Sequence, residues 1–184
     1  MGKPIPDGVK ISETVAMFLV QVTKGEISPE RRKCVIKLAS EMWIDSPVVY
    51  DIQSIHARLC LGNANAGEYR KSLMFDSNMR FRLYPKSSEV QKLMKQYFYP
   101  AYKHVLDTNN FTAHGPADVA WYLSAIGRCI RPFYNDNRLV FWLVENQVRV
   151  QFGLSVTPIL RPKDVFDGFR KEMFRDTFSE SYMS

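Results

Sequence analysis

The sequence predicts a mainly α protein, with seven or eight helices and one small β-hairpin. Apolar residues recur at helical spacing along most of the chain, which is the principal signal for α-helices. Serine-proline pairs and glycines stand where these segments are expected to start and end. Apolar and basic residues alternate strictly at only one place, near residue 80, so a single hairpin is expected beside the helices.

The bulk composition is that of one domain with its own hydrophobic core. The chain has 184 residues, of which 46% are hydrophobic and 13% aromatic, so burial needs no disulfide or metal ion. Residues 1–11 contain proline and glycine and are expected to form a flexible lead-in. Residues 12–184 are expected to form a single domain.

Cysteine usage and charge limit the environment and the partners. The three cysteines lie far apart on apolar helical faces, which predicts reduced thiols, no metal site and a cytoplasmic location. No apolar run is long enough to span a membrane, and the N-terminus lacks the apolar core of a signal peptide. The net charge is +6, but basic residues are scattered among 19 acids. Arg31, Arg32 and Lys33 are typical of a solvated helix face, so nucleic-acid binding is not favoured.

Helix-start signals are clearest in the first half of the chain. The first helix is expected to begin at Ser12. The second is expected to have Ser28 as its cap and Pro29 in its first turn.

The same serine-proline signal at residues 46–47 predicts the start of a third helix. Val48 and Val49 are expected to face inward, and Gly62 to end the helix. His56 lies on this helix among apolar neighbours with no second ligand nearby, which favours a core histidine over a metal ligand.

A β-hairpin flap is predicted over residues 73–84. The turn signal at residues 76–78 is flanked by apolar positions, and basic residues alternate with apolar ones after it. A lone strand pair would lie on the helical body as a flap. The residues expected to form its contact surface are Leu73, Phe75, Arg80, Phe81 and Arg82.

The second half predicts four further helices, and a short helix followed by a polar loop over residues 101–113. Ser87 or Ser88 is expected to cap the fourth, and Pro116 to start the fifth. The sixth is expected at about residues 137–152, and a final one at about 162–175.

The loop at residues 130–138, between two strongly apolar helices, is the candidate functional site. Asn135 and Asn137 accept tight-turn conformations, and Asp136 lies between them, just before a helix N-terminus. Unsatisfied amides and the helix dipole attract anions there, and phosphate is the obvious ligand. The alternative is a structural turn and helix cap. The residues expected to hold an anion or nucleotide are Asn135, Asp136, Asn137 and Arg138.

The order of these features resembles the Fic and Doc family. Ile55 and His56, followed by Ala-Gly-Glu-Tyr-Arg at residues 66–70, look like that family's helix and GxYR segment. The hairpin stands where the family keeps its target-docking flap, and residues 130–133 stand at the start of its signature, H-P-F-x-[D/E]-G-N-[G/K]-R. The resemblance implies a Fic-like helical bundle, related to enzymes that transfer AMP from ATP, or phosphate, to protein hydroxyls.

Two downstream residues set the register of the signature. Family members carry an asparagine seven residues, and a glycine fourteen residues, past the final arginine of the signature. With Leu139 in that position, Asn146 and Gly153 match without a gap. Pro132, Phe133 and Asn137 then match the signature. The departures are Arg131 for histidine, Asn135 for the acid, Asp136 for the first glycine, Arg138 for glycine or lysine, and Leu139 for arginine.

These departures imply the loss of most transferase chemistry. Arg131 stands at the catalytic-histidine position and cannot act as a general base, because a guanidinium stays protonated. Asn135 offers Mg²⁺ no anionic oxygen, Leu139 cannot bind phosphate, and Asp136 places a negative charge where phosphates should lie.

We therefore predict a pseudoenzyme that lacks efficient adenylyl transfer and binds either a nucleotide or a partner protein at the flap. The alternative is an active, divergent protein adenylyltransferase (AMPylator) that uses ATP and Mg²⁺, with His114 as a distant substitute base. A third hypothesis is a single-stranded nucleic-acid binder that uses Phe81 and its basic neighbours.

Overall fold

A computed structural model describes residues 11–22, 27–45, 48–72, 74, 84–107 and 115–158. Within these residues lie seven α-helices and no β-strand, so the prediction of a mainly helical protein is confirmed. The helices are α1 Ile11–Val22, α2 Pro29–Ser40, α3 Ile52–Leu59, α4 Ser87–Leu93, α5 Tyr99–Asp107, α6 Pro116–Ile130 and α7 Asn137–Gln151. Single π-helical turns, Glu41–Asp45 and Met94–Phe98, extend α2 and α4.

Two predicted elements fall outside the described residues. One is the final helix over 162–175, so the total of seven or eight helices stays a prediction. The other is the hairpin flap, whose expected contact residues are Leu73, Phe75, Arg80, Phe81 and Arg82.

Several helix boundaries follow the local signals. The Ser28 side chain accepts a hydrogen bond from the Arg31 amide at 3.2 Å, and Pro29 is the first residue of α2. Pro116 likewise begins α6. Gly153 follows α7 with φ of +71°, a conformation that glycine adopts without strain.

The predicted start of the third helix was wrong. The helix begins at Ile52, because the Asp51 carboxylate accepts hydrogen bonds from the amides two and three residues on, each at 3.2 Å. Val48 and Val49 precede the helix and are 46% and 40% exposed, so they do not face the core. A carboxylate cap directly before the apolar stripe therefore decides the boundary.

The predicted serine cap of the fourth helix was also wrong. Ser87 is the first residue of α4, and the cap position is occupied by Lys86, whose side chain makes no capping bond. The Ser87 hydroxyl instead donates to the carbonyl of Lys71 at 3.1 Å. This serine therefore ties α4 to the segment that precedes the predicted flap.

The centre of the molecule is the pair formed by α6 and α7, the most extensive helix contact among the described elements. At their crossing Gly127 allows close approach, because a Cβ there would lie 2.1 to 2.5 Å from ring atoms of Phe141. Trp142 of α7 stacks on Phe18 of α1 with ring centroids 4.0 Å apart, and Trp43 meets it edge-on at 5.3 Å. Helix α7 is thus surrounded by other helices, which fixes the loop at its N-terminus.

The segment after α7 is anchored by one buried amide. The Asn146 Oδ1 accepts from the Thr157 amide at 2.7 Å, and its Nδ2 donates to the Thr157 carbonyl at 3.2 Å. The Trp142 indole donates to the same carbonyl at 2.7 Å. Asn146, which sets the register of the signature, therefore has a structural role.

Three further findings concern the cysteines, the metal-ligating side chains and the lengths of the helices. All three cysteines are free: Cys34 is half-buried, and Cys60 and Cys129 are buried. No group of three or more metal-ligating side chains occurs in the described ranges. None of the helices described above is long and apolar enough to cross a bilayer.

Candidate functional site

The loop between α6 and α7 turns at two residues with left-handed backbone conformations. Arg131 has φ of 49° and ψ of 64°, and its amide donates to the Gly127 carbonyl at 3.0 Å, ending α6. Asp136 has φ of 53° and ψ of 9° and occupies the cap position of α7. Such a conformation costs an arginine roughly 1–2 kcal/mol, so surrounding contacts must hold the loop in place.

Asn137 closes the loop from within. Its Oδ1 accepts from the Phe133 amide at 3.0 Å, while its Nδ2 donates to the Phe133 carbonyl at 2.8 Å and to the Asn135 carbonyl at 3.2 Å. Both ends of this buried amide are engaged inside the loop. Asn137 therefore shapes the loop, and what it can offer an anion is its backbone amide.

The N-terminus of α7 carries amides without intrahelical acceptors. The first hydrogen bond of the helix runs from the Val140 amide to the Asp136 carbonyl at 3.0 Å, so the amides of the three residues before Val140 precede it. Asp136 makes no side-chain capping bond to them. Among those three residues Arg138 is exposed, whereas Leu139 is only 3% exposed and packs in the core.

The Asp136 carboxylate faces α2 and α3. One oxygen forms an ion pair with the Arg31 guanidinium, and the other accepts from the Cys60 thiol at 3.1 Å. Arg32 and Lys33 are exposed as expected, and the Arg31 side chain is 37% exposed although it pairs with Asp136. The negative charge of Asp136 is therefore paired with a cation of another helix.

His56 lies beneath the loop and is 1% exposed. Its ring stacks on Phe133 with centroids 3.9 Å apart and an interplanar angle of 1°. The Gly67 amide donates to Nδ1 at 3.0 Å, and Nε2 lies 3.1 Å from Asn135 Oδ1. Burial lowers the pKa of His56, and contacts with Asn135 and Asp136 offset this only in part. His56 is thus a neutral core histidine with both nitrogens engaged.

A thiol, an imidazole and an amide lie close together here, as they do around a cysteine nucleophile. The position of the ring proton on His56, however, prevents this histidine from acting as the base. Because His56 Nδ1 accepts the Gly67 amide, Nε2 must carry the ring proton. It cannot accept the proton of Cys60, whose sulfur lies 3.4 Å away. Burial, aided by the Asp136 carboxylate, raises the pKa of Cys60 to about 12. The thiol is therefore expected to be inert.

Alkylation tests this expectation. At pH 8 the folded protein should react with iodoacetamide at Cys60 at least about a thousandfold more slowly than the urea-unfolded chain, because so little thiolate is present. Peptide mass spectrometry over time gives both rates for the same residue. Equal rates in the two states would contradict an inert thiol, and a faster rate in the folded state would indicate an activated nucleophile.

Arg70 fastens the loop to both ends of the predicted flap. The side chain is only 2% exposed, and its guanidinium reaches three backbone carbonyls. These belong to Arg131 at 2.8 Å, Ser72 at 2.9 Å and Pro85. The Arg70 amide also donates to the Pro132 carbonyl at 2.8 Å. One buried cation therefore fixes the loop relative to residues 72 and 85.

The Arg131 side chain lies against an aromatic ring. Its guanidinium carbon is 4.6 Å from the ring centroid of Tyr84, which is itself buried. This is the distance of a cation–π contact. Arg131 remains cationic beside the loop and has no lone pair with which to deprotonate a hydroxyl.

A cleft of about 330 Å³ opens beside the loop, between α2 and the end of α3. Asn135 and Asp136 form part of its wall, together with Arg31, Arg58 and Cys60. The two arginines are already paired, Arg31 with Asp136 and Arg58 with a glutamate on the turn after α2. Glu30 of α2 also lines the cleft, which therefore exposes one side of the loop to a wall that carries both signs of charge.

Sequence reasoning located the loop but missed the residues that support it. Arg31, Cys60, Arg70 and Tyr84 all contact the loop from other elements. Arg70 stood in the quoted GxYR segment, and that was its only sequence signal. The contacts of Arg31 and Cys60 had no local signal.

Comparison with known proteins supports the fold. No protein-family model matches the chain, and no curated protein sequence does. Among solved structures, it resembles a Fic domain containing signaling protein from Bacteroides thetaiotaomicron, with a TM-score of 0.57 and 16% identity over 93% of this chain and 66% of that one. A Fic family protein from Desulfovibrio desulfuricans G20 gives a TM-score of 0.44 and 17% identity, over 96% of this chain and 65% of that one. The chain thus has a Fic-like helical fold and spans just under two thirds of the length of these proteins.

Proposed function

We propose that this protein is a degenerate Fic-like protein, which binds the phosphate groups of a nucleotide at the α6–α7 loop without efficient adenylyl transfer. One observation carries the proposal: the Asp136 carboxylate is held by Arg31 and Cys60, and it does not cap α7. The positive end of α7 therefore keeps amides that an external anion can accept from.

The expected affinity follows from the groups available. Each hydrogen bond between an amide and a charged ligand contributes about 1.5–3 kcal/mol. Two such bonds, about 3–6 kcal/mol together, correspond to a dissociation constant between about 6 mM and about 40 μM. The exposed Arg138 adds a cation at the same helix end, so nucleotides at millimolar concentration should occupy the site.

The same geometry argues against transfer. Arg131, at the position of the catalytic histidine, is a protonated guanidinium lying against Tyr84. The amide oxygen of Asn135 is already within 3.1 Å of His56 Nε2, and an amide oxygen has no charge to offer Mg²⁺. Loss of the general base alone costs about 10²–10⁴ in rate.

A protein partner at the predicted flap is part of the proposal. The described segments at both ends of the flap, Ser72 and Pro85, are fixed to the Arg70 guanidinium. The residues proposed to contact the partner are Leu73, Phe75, Arg80, Phe81 and Arg82.

Thermal denaturation with nucleotides tests the binding step. AMP, ADP and ATP at millimolar concentration should raise the melting temperature, and Arg138→Ala should reduce the rise because it removes the exposed cation beside α7. Arg32→Ala is the matched control, since Arg32 is an exposed arginine on another helix. No rise with any of the three nucleotides would exclude the nucleotide-binding function.

Labelled ATP with Mg²⁺ tests the absence of transfer. We expect no label on the protein or on added target proteins. Label that depends on Arg131 would favour the alternative, an active divergent adenylyltransferase. The variant that combines Arg131→His, Asn135→Asp, Asp136→Gly, Arg138→Gly and Leu139→Arg should regain transfer, and failure of this variant in a folded state would contradict the register of the signature.

A further inference from the structure

The buried histidine beneath the loop makes contacts that the proposed function does not use. His56 belongs to α3, yet its ring lies flat against Phe133 of the loop, and its Nε2 is bonded to the side chain of Asn135. The opposite nitrogen accepts the amide of Gly67. One imidazole therefore joins three separate segments: α3, residues 64–70 and the loop.

Only one protonation state satisfies these contacts. The Gly67 amide is a donor, so Nδ1 must be without a proton, and Nε2 must carry the proton that Asn135 Oδ1 accepts. A second proton on Nδ1 would place two donors 3.0 Å apart, and the Gly67 contact would have to break. Protonation therefore separates the imidazole from one of its partners.

In the part of the chain that the structure describes, the hydrogen-bond contact at Nδ1 of His56 is the Gly67 amide. Cys60 of the same helix and the Asp136 carboxylate of the loop lie on the Nε2 side, where the sulfur is 3.4 Å away. Arg31 of α2 is paired with that carboxylate. Tyr69 packs on the Phe133 ring, with centroids 5.7 Å apart. A charged imidazole would thus be buried without a partner for its new proton.

We propose that His56, in its neutral form, is the positioning residue of the anion-binding loop. This inference rests on the proposed function, since the loop that it positions is the proposed phosphate site. By fixing Asn135 and stacking on Phe133, His56 holds the backbone of residues 133–136 in the shape that presents the α7 amides. Protonation of His56 breaks the Gly67 contact that holds the imidazole in place, so the ring no longer supports Phe133 and Asn135, and anion binding weakens.

The direction in which anion affinity changes with pH distinguishes a positioning role of His56 from a purely electrostatic one. An added positive charge near an anion site should strengthen anion binding as pH falls. If the neutral form of His56 positions the loop, anion binding should instead weaken as pH falls. The change should appear below about pH 6.5, the ordinary histidine pKa, because burial lowers the pKa of His56.

The test uses inorganic sulfate, because its charge is constant across the range, and follows backbone amides by NMR from pH 8 to pH 5. The sulfate dissociation constant at the α7 amides should rise about tenfold as His56 becomes protonated, the size expected for loss of one buried hydrogen bond. The amide signals of residues 133–137 should shift with the same midpoint.

Three variants complete the test. His56→Gln keeps a donor for Asn135 and an acceptor for Gly67 but does not titrate, so sulfate binding should become independent of pH. His56→Leu should bind weakly at every pH. His104→Gln removes an exposed histidine of α5 and should leave the wild-type profile unchanged.

Results of two kinds, in sulfate binding and in the loop amide signals, would overturn the inference. One is sulfate binding that tightens toward low pH, or a pH dependence that survives in His56→Gln. The other is a set of loop amide signals that do not move when His56 titrates. If sulfate binds at no pH, the proposed phosphate site is wrong, while the loop signals still decide whether His56 positions the loop.

Discussion

Replacing Gly127 with alanine is expected to lower the free energy of unfolding by about 1–3 kcal/mol, the cost of overpacking a close-packed core. The new Cβ would lie 2.1 to 2.5 Å from the ring of Phe141, so either the ring or the α6–α7 pair must move. Helix propensity alone predicts the opposite sign, because alanine is favoured over glycine by about 1 kcal/mol inside a helix. Urea denaturation gives the difference directly.

Gly115→Ala is the matched control for this substitution. Gly115 lies at the cap of the same helix, has φ of −66°, and no heavy atom would lie within 4 Å of a new Cβ. We expect the free energy of unfolding of Gly115→Ala to differ from that of the wild type by at most about 1 kcal/mol. Phe141→Leu should partly rescue Gly127→Ala by removing ring atoms. Equal stability of wild type and Gly127→Ala would contradict the close approach of the two helices.

Replacing Arg70 with methionine is expected to cost about 3–4 kcal/mol of unfolding free energy. Methionine keeps much of the apolar stem but leaves three carbonyls, those of Arg131, Ser72 and Pro85, without their donor. A buried hydrogen bond to a charged group contributes about 1.5–3 kcal/mol, and hydration of the freed carbonyls recovers part of the loss. Denaturation with urea measures the effect, and limited proteolysis shows whether cleavage near residues 72–85 increases.

Arg149→Met provides the comparison for Arg70. Arg149 also donates to a backbone carbonyl, that of Ser155 at 2.8 Å, but does so at the protein surface. This variant should change the unfolding free energy by less than about 1 kcal/mol. If the two substitutions lower the free energy of unfolding equally, the hydrogen bonds of buried Arg70 contribute no more to stability than the surface hydrogen bond of Arg149.

The helices that the sequence predicted best are those whose signals are local. Pro116 and the apolar stripe that follows it define α6, and Gly153 marks the end of α7, because caps and periodicity depend on neighbours in the chain. The start of α3 was missed because two local signals compete there, and the Asp51 carboxylate prevails over the serine-proline pair at residues 46–47. Local signals therefore predict the existence of a helix more reliably than they predict its first residue.

The position of the loop between α6 and α7 was predictable from the sequence, but the charge pairing of its residues was not. Loop chemistry indicated an anion site, and Asp136 was expected to oppose it. Its carboxylate instead pairs with Arg31, 105 residues away along the chain, and no local pattern encodes such a contact. Arg70 illustrates the same limit, since arginine is rarely buried and the carbonyls that it binds come from three segments. Polar contacts of this kind depend on the folded arrangement of helices.

The bonds by which Asn137 closes the loop separate its shape from the side chains that it displays. Asn137 and the stacked ring of Phe133 hold the bend without using the side chain of Arg131 or Leu139. Shape and reactivity are thus encoded by different residues of the same short segment. Substitutions at position 131 can therefore change what the loop contacts while the bend itself persists.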